Sequence, residues 1–175
     1  MGLKHSFRAA RRKIDALDGN ERTTLLAICR DIRHAQHALT QKAAPLLASC
    51  MGKCRGLCCR NILPADIVTE WDLLYILAMA PEIEDAMAVC LTREGFFPAD
   101  CIFLENGTGP CLFPDTLRPE RCIISFCRVE PCIEKEIGRV MSGFSRLIRF
   151  FMFRPLRRLQ RWLLQLNPTG RCIHR

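Results

Sequence analysis

Apolar residues recur at helical spacing through the first third of the chain. Between residues 21 and 48 they return every seventh position, at Leu25, Ile32, Leu39 and Leu46. This period predicts one long amphipathic helix whose apolar face packs on another helix. A short basic helix is expected over residues 3–16, and the break at residues 18–20 supplies a cap for the long helix. Pro45 is expected to kink or restart that helix near its end.

Prolines divide the middle of the chain into shorter helices. Pro64 is expected to begin a helix that runs to about Ala80, and Pro81 a second one that Gly95 ends. The acidic residues of the first helix are expected on its solvated face: Asp66, Glu70 and Asp72.

A long helix is also expected from Pro131 to about Phe153. One face of this helix is apolar: Ile137, Val140, Met141, Phe144, Leu147, Ile148 and Phe151. Such a stripe most simply packs on the helix of residues 21–48.

One stretch breaks the helical pattern. Residues 101–104 and 110–113 are apolar and flank the turn-forming sequence Glu-Asn-Gly-Thr-Gly, which predicts a β-hairpin. The expected fold is therefore mainly α with a small β-hairpin. Its segments are basic N-terminal helices (1–49), a cysteine-rich domain (50–132) and basic amphipathic C-terminal helices (133–175), packed as one globular unit.

Cysteine usage changes this picture. The chain has 12 cysteines, and ten of them fall between Cys50 and Cys132. The basic N-terminus has no apolar core before a cleavage site, so it does not read as a secretory signal. The expected location is therefore the cytoplasm, where metal ligation is favoured over a disulfide framework.

Eight of these cysteines form two groups that suit a thiophilic metal or an iron–sulfur cluster. The groups are Cys50, Cys54, Cys58 and Cys59, followed by Cys101, Cys111, Cys122 and Cys127. Cys58 and Cys59 are adjacent in the sequence, and the side chains of adjacent residues point in different directions on a helix or strand. Two metal ions, a polynuclear cluster, or one ligand beside a non-ligating thiol therefore suit this pair better than one tetrahedral ion bound by both. Arg118 and Arg121 lie close in sequence to Cys122. They either stabilise a negatively charged cofactor or pair with nearby carboxylates.

The pattern resembles the zinc- or iron-chelating CxxCxxxCC domain family, the YkgJ-like cysteine-cluster proteins. The resemblance covers about residues 50–132 and rests on the run Cys50…Cys54…Cys58-Cys59, on CIFLENGTGPCLF and on RPERCIISFC. This chain has one extra residue between its first two cysteines. The resemblance implies ligation of iron, zinc or an iron–sulfur cluster by the eight cysteines listed above.

Three functions follow as hypotheses. The first is a metal-binding or iron–sulfur protein, with an iron–sulfur cluster or iron favoured over zinc. The second is an adaptor whose basic C-terminal segment, residues 139–166, docks on an anionic membrane surface or a protein partner. The third is an iron–sulfur enzyme, because flagellin lysine N-methylases carry a similar cluster, although no catalytic residues can be placed here. No nucleic-acid reader motif is present.

Charge is segmented along the chain. Residues 1–60 carry a balance of +8, residues 61–136 of −9 and residues 137–175 of +9. An acidic middle between basic ends predicts internal pairing, most clearly for the N-terminal part, as readily as an anionic partner.

Overall fold

A computed structural model describes residues 2–54, 62–92, 101–105, 110–126, 131–156 and 159, and for residues 49–54 it describes the backbone alone. These residues are mainly helical, which confirms the expected class. The helices are α1 (Leu3–Asp15), α2 (Gly19–Cys54), α3 (Pro64–Ile67), α4 (Glu70–Met79), α5 (Glu84–Thr92), α6 (Glu120–Ile124) and α7 (Pro131–Met152). A single 3₁₀ turn, Pro81–Ile83, precedes α5.

The long helix α2 begins where the sequence places its cap. Asp18 Oδ1 accepts the backbone N–H of Glu21 at 2.8 Å, and Glu21 Oε2 accepts the N–H of Asp18 at 3.2 Å. This reciprocal pair satisfies N–H groups that a helix start leaves without partners. The expected break at residues 18–20 is therefore present.

The end of α2 differs from the expectation. The helix does not restart at Pro45 but continues to Cys54, across the expected segment boundary at residue 49. Pro45 cannot donate to the carbonyl of Gln41, but both residues lie on an exposed turn where water can reach that carbonyl. Gly52 and Gly56 in the sequence predict a loop over residues 50–60, but Cys50 and Cys54 occupy helical positions one turn apart. The rest of the predicted loop lies outside the described residues.

The helix expected from Pro64 to Ala80 is divided into α3 and α4. Val68 is extended between them, and Thr69 begins α4 as its N-cap in a capping box with Asp72. The prediction that Asp72 lies on a solvated face is wrong, since its side chain is only 1% exposed. Asp66 is exposed, and Glu70 is half-buried beside Lys13.

Helices α2 and α7 form the most extensive helix pair, as the two apolar stripes predict. Leu25, Ile32 and Leu39 of α2 are buried, as are Phe144 and Leu147 of α7. The buried face of α7 is rotated from the expected one, because Met141 is 47% exposed. Helix α4 completes the core, with the Tyr75 ring 5.4 Å from that of Phe144.

The charged segments pair within the chain. Arg11 and Lys13 of α1 contact Glu84 and Glu70 of the acidic middle segment, while Arg146 of α7 contacts Asp31 of α2. Exposed pairs of this kind contribute little individually. With Lys42 and Glu136, three of the 12 basic residues in the N-terminal segment pair with described carboxylates of the acidic middle segment, so the expected internal pairing accounts for part of this charge.

The stretch expected to form a hairpin contains one antiparallel bridge, Leu104 with Cys111. The N–H of Leu112 donates to the carbonyl of Phe103 at 2.8 Å, and that of Glu105 to Pro110 at 3.1 Å. The turn at 106–109 lies outside the described residues. Over the described part of the chain, no helix combines the length and apolar character needed to cross a bilayer.

Gly143 permits the close approach of α7 to α2. A Cβ placed on Gly143 would lie 2.7 Å from Cγ1 of Ile32, a fully buried, β-branched side chain that has little freedom to move. We expect Gly143→Ala to lower the free energy of unfolding by about 1–3 kcal/mol through overpacking, measured by chemical denaturation.

Gly138 provides the matched control on the same helix, because a Cβ there meets nothing within 4 Å. Gly138→Ala should raise stability by up to about 1 kcal/mol through helix propensity alone. Equal effects of the two substitutions would contradict the close contact at Gly143.

Candidate metal centre

Three of the expected ligand cysteines line one small cavity. Cys101, Cys111 and Cys122 come from separate stretches of the chain and meet at a cavity of about 30 Å³, which is large enough for one ion or water molecule. The other lining residues are Ile62, Val68, Phe103, Leu104, Phe113, Arg118 and Pro119. Most of this lining is apolar, so a charged occupant would be shielded from solvent.

Backbone N–H groups surround two of these sulfurs. The N–H of Phe113 donates to Sγ of Cys111 at 3.4 Å. Burial raises the pKa of both Cys101 and Cys111. The N–H groups of Phe103 and Leu104 oppose this rise at Cys101, as Phe113 does at Cys111. Amide donors two residues after a cysteine stabilise a thiolate, the form that binds metal.

Cys90 lies within a predicted helix and away from the other thiols in sequence, which predicts a core residue rather than a ligand. It is indeed buried, at 6% exposure in α5. However, it interacts electrostatically with Cys101 and Cys111, and it lines an open groove together with Cys111 and Phe103. Only the packing of α5 against the bridge brings it there, so no spacing in the sequence would have revealed it.

The two arginines expected near the centre behave differently. Arg118 lines the cavity, and its charge lowers the pKa of Cys111 against the larger effect of burial. Its Nη2 pairs with Asp115, whereas its Nε is buried without a hydrogen-bond partner among the described residues. Arg121 is exposed. Of the two alternatives left open by the sequence, the carboxylate pair is therefore present for Arg118, and stabilisation of a cofactor stays a prediction for both arginines.

Two buried polar side chains hold the backbone next to Cys122. Gln36 of α2 donates from Nε2 to the carbonyl of Arg118 at 2.7 Å and accepts the Arg118 N–H on Oε1 at 3.0 Å. Asp72 of α4 accepts the N–H of Glu120 on Oδ1 at 2.6 Å. The sequence analysis missed both roles, although Thr69-x-x-Asp72 matches a capping-box pattern that would have identified Asp72 as a cap.

The C-terminal part of α2 runs alongside the same segment. Thr40 and Leu47 line a second cavity of about 50 Å³ together with Arg118 and Cys122. Cys50 follows Leu47 by three residues on α2, a rise of about 4.5 Å along the helix axis. The backbone of Cys50 thus lies about one turn of α2 beyond a side chain that lines this cavity.

The remaining expected ligands cannot be placed by their side chains. Cys50 and Cys54 are described by their backbone only, while Cys58, Cys59 and Cys127 lie outside the described residues. Among the side chains that the structure describes, no three from His, Cys, Asp and Glu are arranged to hold an ion. No disulfide joins any two of the six cysteines described with side chains.

Two other candidate groups lie apart from the cavity. His34 and His37 are exposed on α2, as expected for solvated histidines. Cys29 is completely buried, and burial raises its pKa to about 12. Cys29 is therefore a packing residue rather than a ligand.

Comparisons with protein-family models, with curated protein sequences and with solved structures find no match to this chain. The resemblance to the CxxCxxxCC family consequently rests on the cysteine motif itself.

The buried and exposed thiols should differ in alkylation rate. With a pKa of about 12 against an ordinary value of 9.0, Cys29 has roughly a thousandfold less thiolate at neutral pH, and it is closed to the reagent. We expect Cys29 to be modified only on unfolding, whereas Cys132, exposed on α7, is modified rapidly. Peptide mapping by mass spectrometry after timed alkylation of the native protein measures both rates. Comparable rates at the two positions would contradict the burial of Cys29.

Proposed function

We propose that this chain is a metal-binding protein whose cysteines hold iron, most favourably as an iron–sulfur cluster, with zinc as the alternative. The observation that carries the proposal is the meeting of Cys101, Cys111 and Cys122 at one cavity. Residues 101, 111 and 122 are well separated in the chain, so their convergence requires the fold. Among the described side chains, however, no three from His, Cys, Asp and Glu are arranged to hold an ion, and the cavity has room for one ion or water molecule. Binding of a cluster would therefore require the three thiols to turn toward one another around a larger space.

The surroundings suit a thiolate-bound centre. Backbone N–H groups face Cys101 and Cys111, and the buried Nε of Arg118 is available as a further donor. Such donors lower the energy of negatively charged sulfur and tune the potential of a bound cluster. Cys101, Cys111 and Cys122 would supply thiolate ligands from this side.

The first cysteine group would supply the other ligands. Helix α2 passes Cys122 at Leu47 and carries Cys50 and Cys54 in the turns that follow. Eight thiols exceed the four that one structural zinc ion uses, which favours a cluster or more than one metal ion. A bound cluster would supply electron transfer or structural cross-linking at this position.

Anaerobic purification tests the proposal. We expect wild-type protein to carry iron and acid-labile sulfide and to absorb visible light, whereas colourless protein with stoichiometric zinc would favour a structural zinc site. Cys101→Ser and Cys111→Ser should each lower the metal content by at least half, because serine is a poor ligand for these metals.

Cys132→Ser is the matched control, because Cys132 is exposed on α7 and outside the proposed ligand set. It should keep the wild-type metal content. The proposal fails if wild-type protein binds neither metal, or if all three variants bind as much metal as the wild type does.

A second candidate function is docking on an anionic membrane surface. Phe144, Phe150 and Phe151 are buried in the core, so the aromatic face of α7 is not available for docking. Beyond that face the apolar side chains are exposed: Met152, Phe153, Leu156 and Leu159. Nine arginines and no acidic residues occur between residues 137 and 175, a charge bias complementary to anionic lipid.

Vesicle flotation tests this candidate. We expect the full-length protein to float with vesicles containing phosphatidylserine and not with neutral phosphatidylcholine vesicles. Leu156→Glu should weaken binding about tenfold or more, because it removes an inserted apolar side chain and adds a repelled charge.

Val89→Glu is the control, since Val89 is similarly exposed, at 57%, but lies on α5. It should bind like wild type. If the protein floats with neither kind of vesicle, the membrane candidate is wrong. If Leu156→Glu and Val89→Glu weaken vesicle binding equally, binding does not depend on the exposed apolar residues after α7.

A further inference from the structure

The four buried polar side chains of the described residues fall into two kinds. Glu21 and Glu136 form ion pairs with basic side chains: Arg154 for Glu21, Lys42 and Arg139 for Glu136. Gln36 and Asp72 instead bind backbone groups, and both reach the same stretch, residues 118–120. This stretch immediately precedes Cys122.

We infer that Gln36 and Asp72 are positioning residues that hold the Arg118-Pro119-Glu120 backbone so that Cys122 and Arg118 meet Cys101 and Cys111 at the cavity. The inference rests on the proposed function for its purpose, but the positioning itself can be tested without a bound metal. Neither side chain needs to touch the metal to act in this way.

Gln36 makes a two-point contact with Arg118. Its amide donates to the Arg118 carbonyl and accepts the Arg118 N–H, so position and orientation of this peptide are both specified. Gln36 is 0% exposed, and a buried amide without such partners would be costly. The contact connects the middle of α2 to a segment 82 residues away in the sequence.

Asp72 supplies a cap that the local sequence lacks. Pro119 is the N-cap of α6 and has no side chain that could accept a hydrogen bond. Asp72 Oδ1 accepts the N–H of Glu120, the first residue of α6, at 2.6 Å. Its other oxygen, Oδ2, accepts from the N–H and the hydroxyl of Thr69, so the carboxylate joins the starts of α4 and α6.

The contacts of Gln36 and Asp72 fix the first turn of α6, which carries Cys122. Cys122 follows Glu120 by two residues, and the N–H of Ile123 closes the turn onto Pro119 at 3.1 Å. Moving the peptide of Arg118 or Glu120 would therefore move Cys122 relative to the other two sulfurs. It would also move the buried Nε of Arg118.

The experiment compares Gln36→Met and Asp72→Ala with a buried polar control, Glu21→Gln. Gln36→Met keeps the length of the side chain and removes both hydrogen bonds. Glu21→Gln weakens a buried ion pair at the far end of α2, roughly 20 Å along the helix from Gln36. All three variants are expected to unfold at lower denaturant concentration than wild type.

Only Gln36→Met and Asp72→Ala should change the surroundings of Cys122. We expect Cys122 of metal-free protein to be alkylated at a rate at least fivefold different from wild type in Gln36→Met and Asp72→Ala, and at the wild-type rate in Glu21→Gln. Metal-loaded protein should show lower metal content and an altered absorption spectrum in the same two variants. Asp72→Asn keeps one oxygen that can accept the N–H of Glu120 but places its NH2 against the N–H of Thr69. It should therefore retain the wild-type rate of Cys122 alkylation while unfolding at lower denaturant concentration.

Hydrogen exchange on wild-type protein gives a test that does not depend on folding of the variants. The N–H groups of Arg118 and Glu120 should be strongly protected, since both donate to buried side chains. The inference is overturned if both amides exchange rapidly. It is also overturned if Gln36→Met and Asp72→Ala leave the rate of Cys122 alkylation unchanged.

These outcomes separate the two proposals. If wild-type protein binds no metal, the proposed function fails, while the alkylation and exchange results still decide whether Gln36 and Asp72 position Cys122. If metal binds and these variants leave Cys122 and the spectrum unchanged, only the positioning inference fails.

Discussion

The buried face of α2 is the constraint on which the rest of the described structure depends. Ile32 lies against Gly143 so closely that a methyl group there would overlap it, which sets the spacing of α2 and α7. One turn later Gln36 binds Arg118, and about three further turns bring Leu47 to the cavity shared with Cys122. A single 36-residue helix therefore aligns the helical core with the cysteine-bearing segment.

The helices that stabilise the fold also hold the segment that carries the proposed metal centre. Helix α2 packs most extensively on α7, and α4 packs on both α1 and α2, so these helices bury apolar surface together, which is the dominant favourable term in folding. The described residues between Cys101 and Phe126 form one bridge, isolated turns and the short helix α6. Side chains from α2 and α4 fix the backbone of this segment at Arg118 and Glu120. A centre built there would be rigid because the helices are rigid.

The distribution of charge has a similar explanation. Part of the positive charge in the N-terminal segment and in α7 meets carboxylates of other helices, as in Arg11 with Glu84 and Arg146 with Asp31. Positive charge in this chain is therefore not by itself a sign of an anionic partner. What distinguishes the region after Met152 is its exposed apolar surface, which the pairing of charges does not explain.

Periodicity in the sequence was sufficient to predict the helical class, the apolar stripe of α2 and its pairing with α7, because burial of an apolar face repeats with the helical turn. Local chemistry likewise identified the cap at Asp18. The cysteine motif named Cys101, Cys111 and Cys122 as candidates but could not place them around one cavity. Gln36 lies on the apolar stripe, which signals burial, yet no local pattern identifies the backbone of Arg118 as its partner.

Only the tertiary structure decided the role of Asp72, the neighbourhood of Cys90 and the buried Nε of Arg118. These features arise between elements that are distant in the chain. Their energy depends on which groups lose water together and find each other as partners. A sequence pattern records the local preference of each residue, whereas such pairing exists only once the helices have packed.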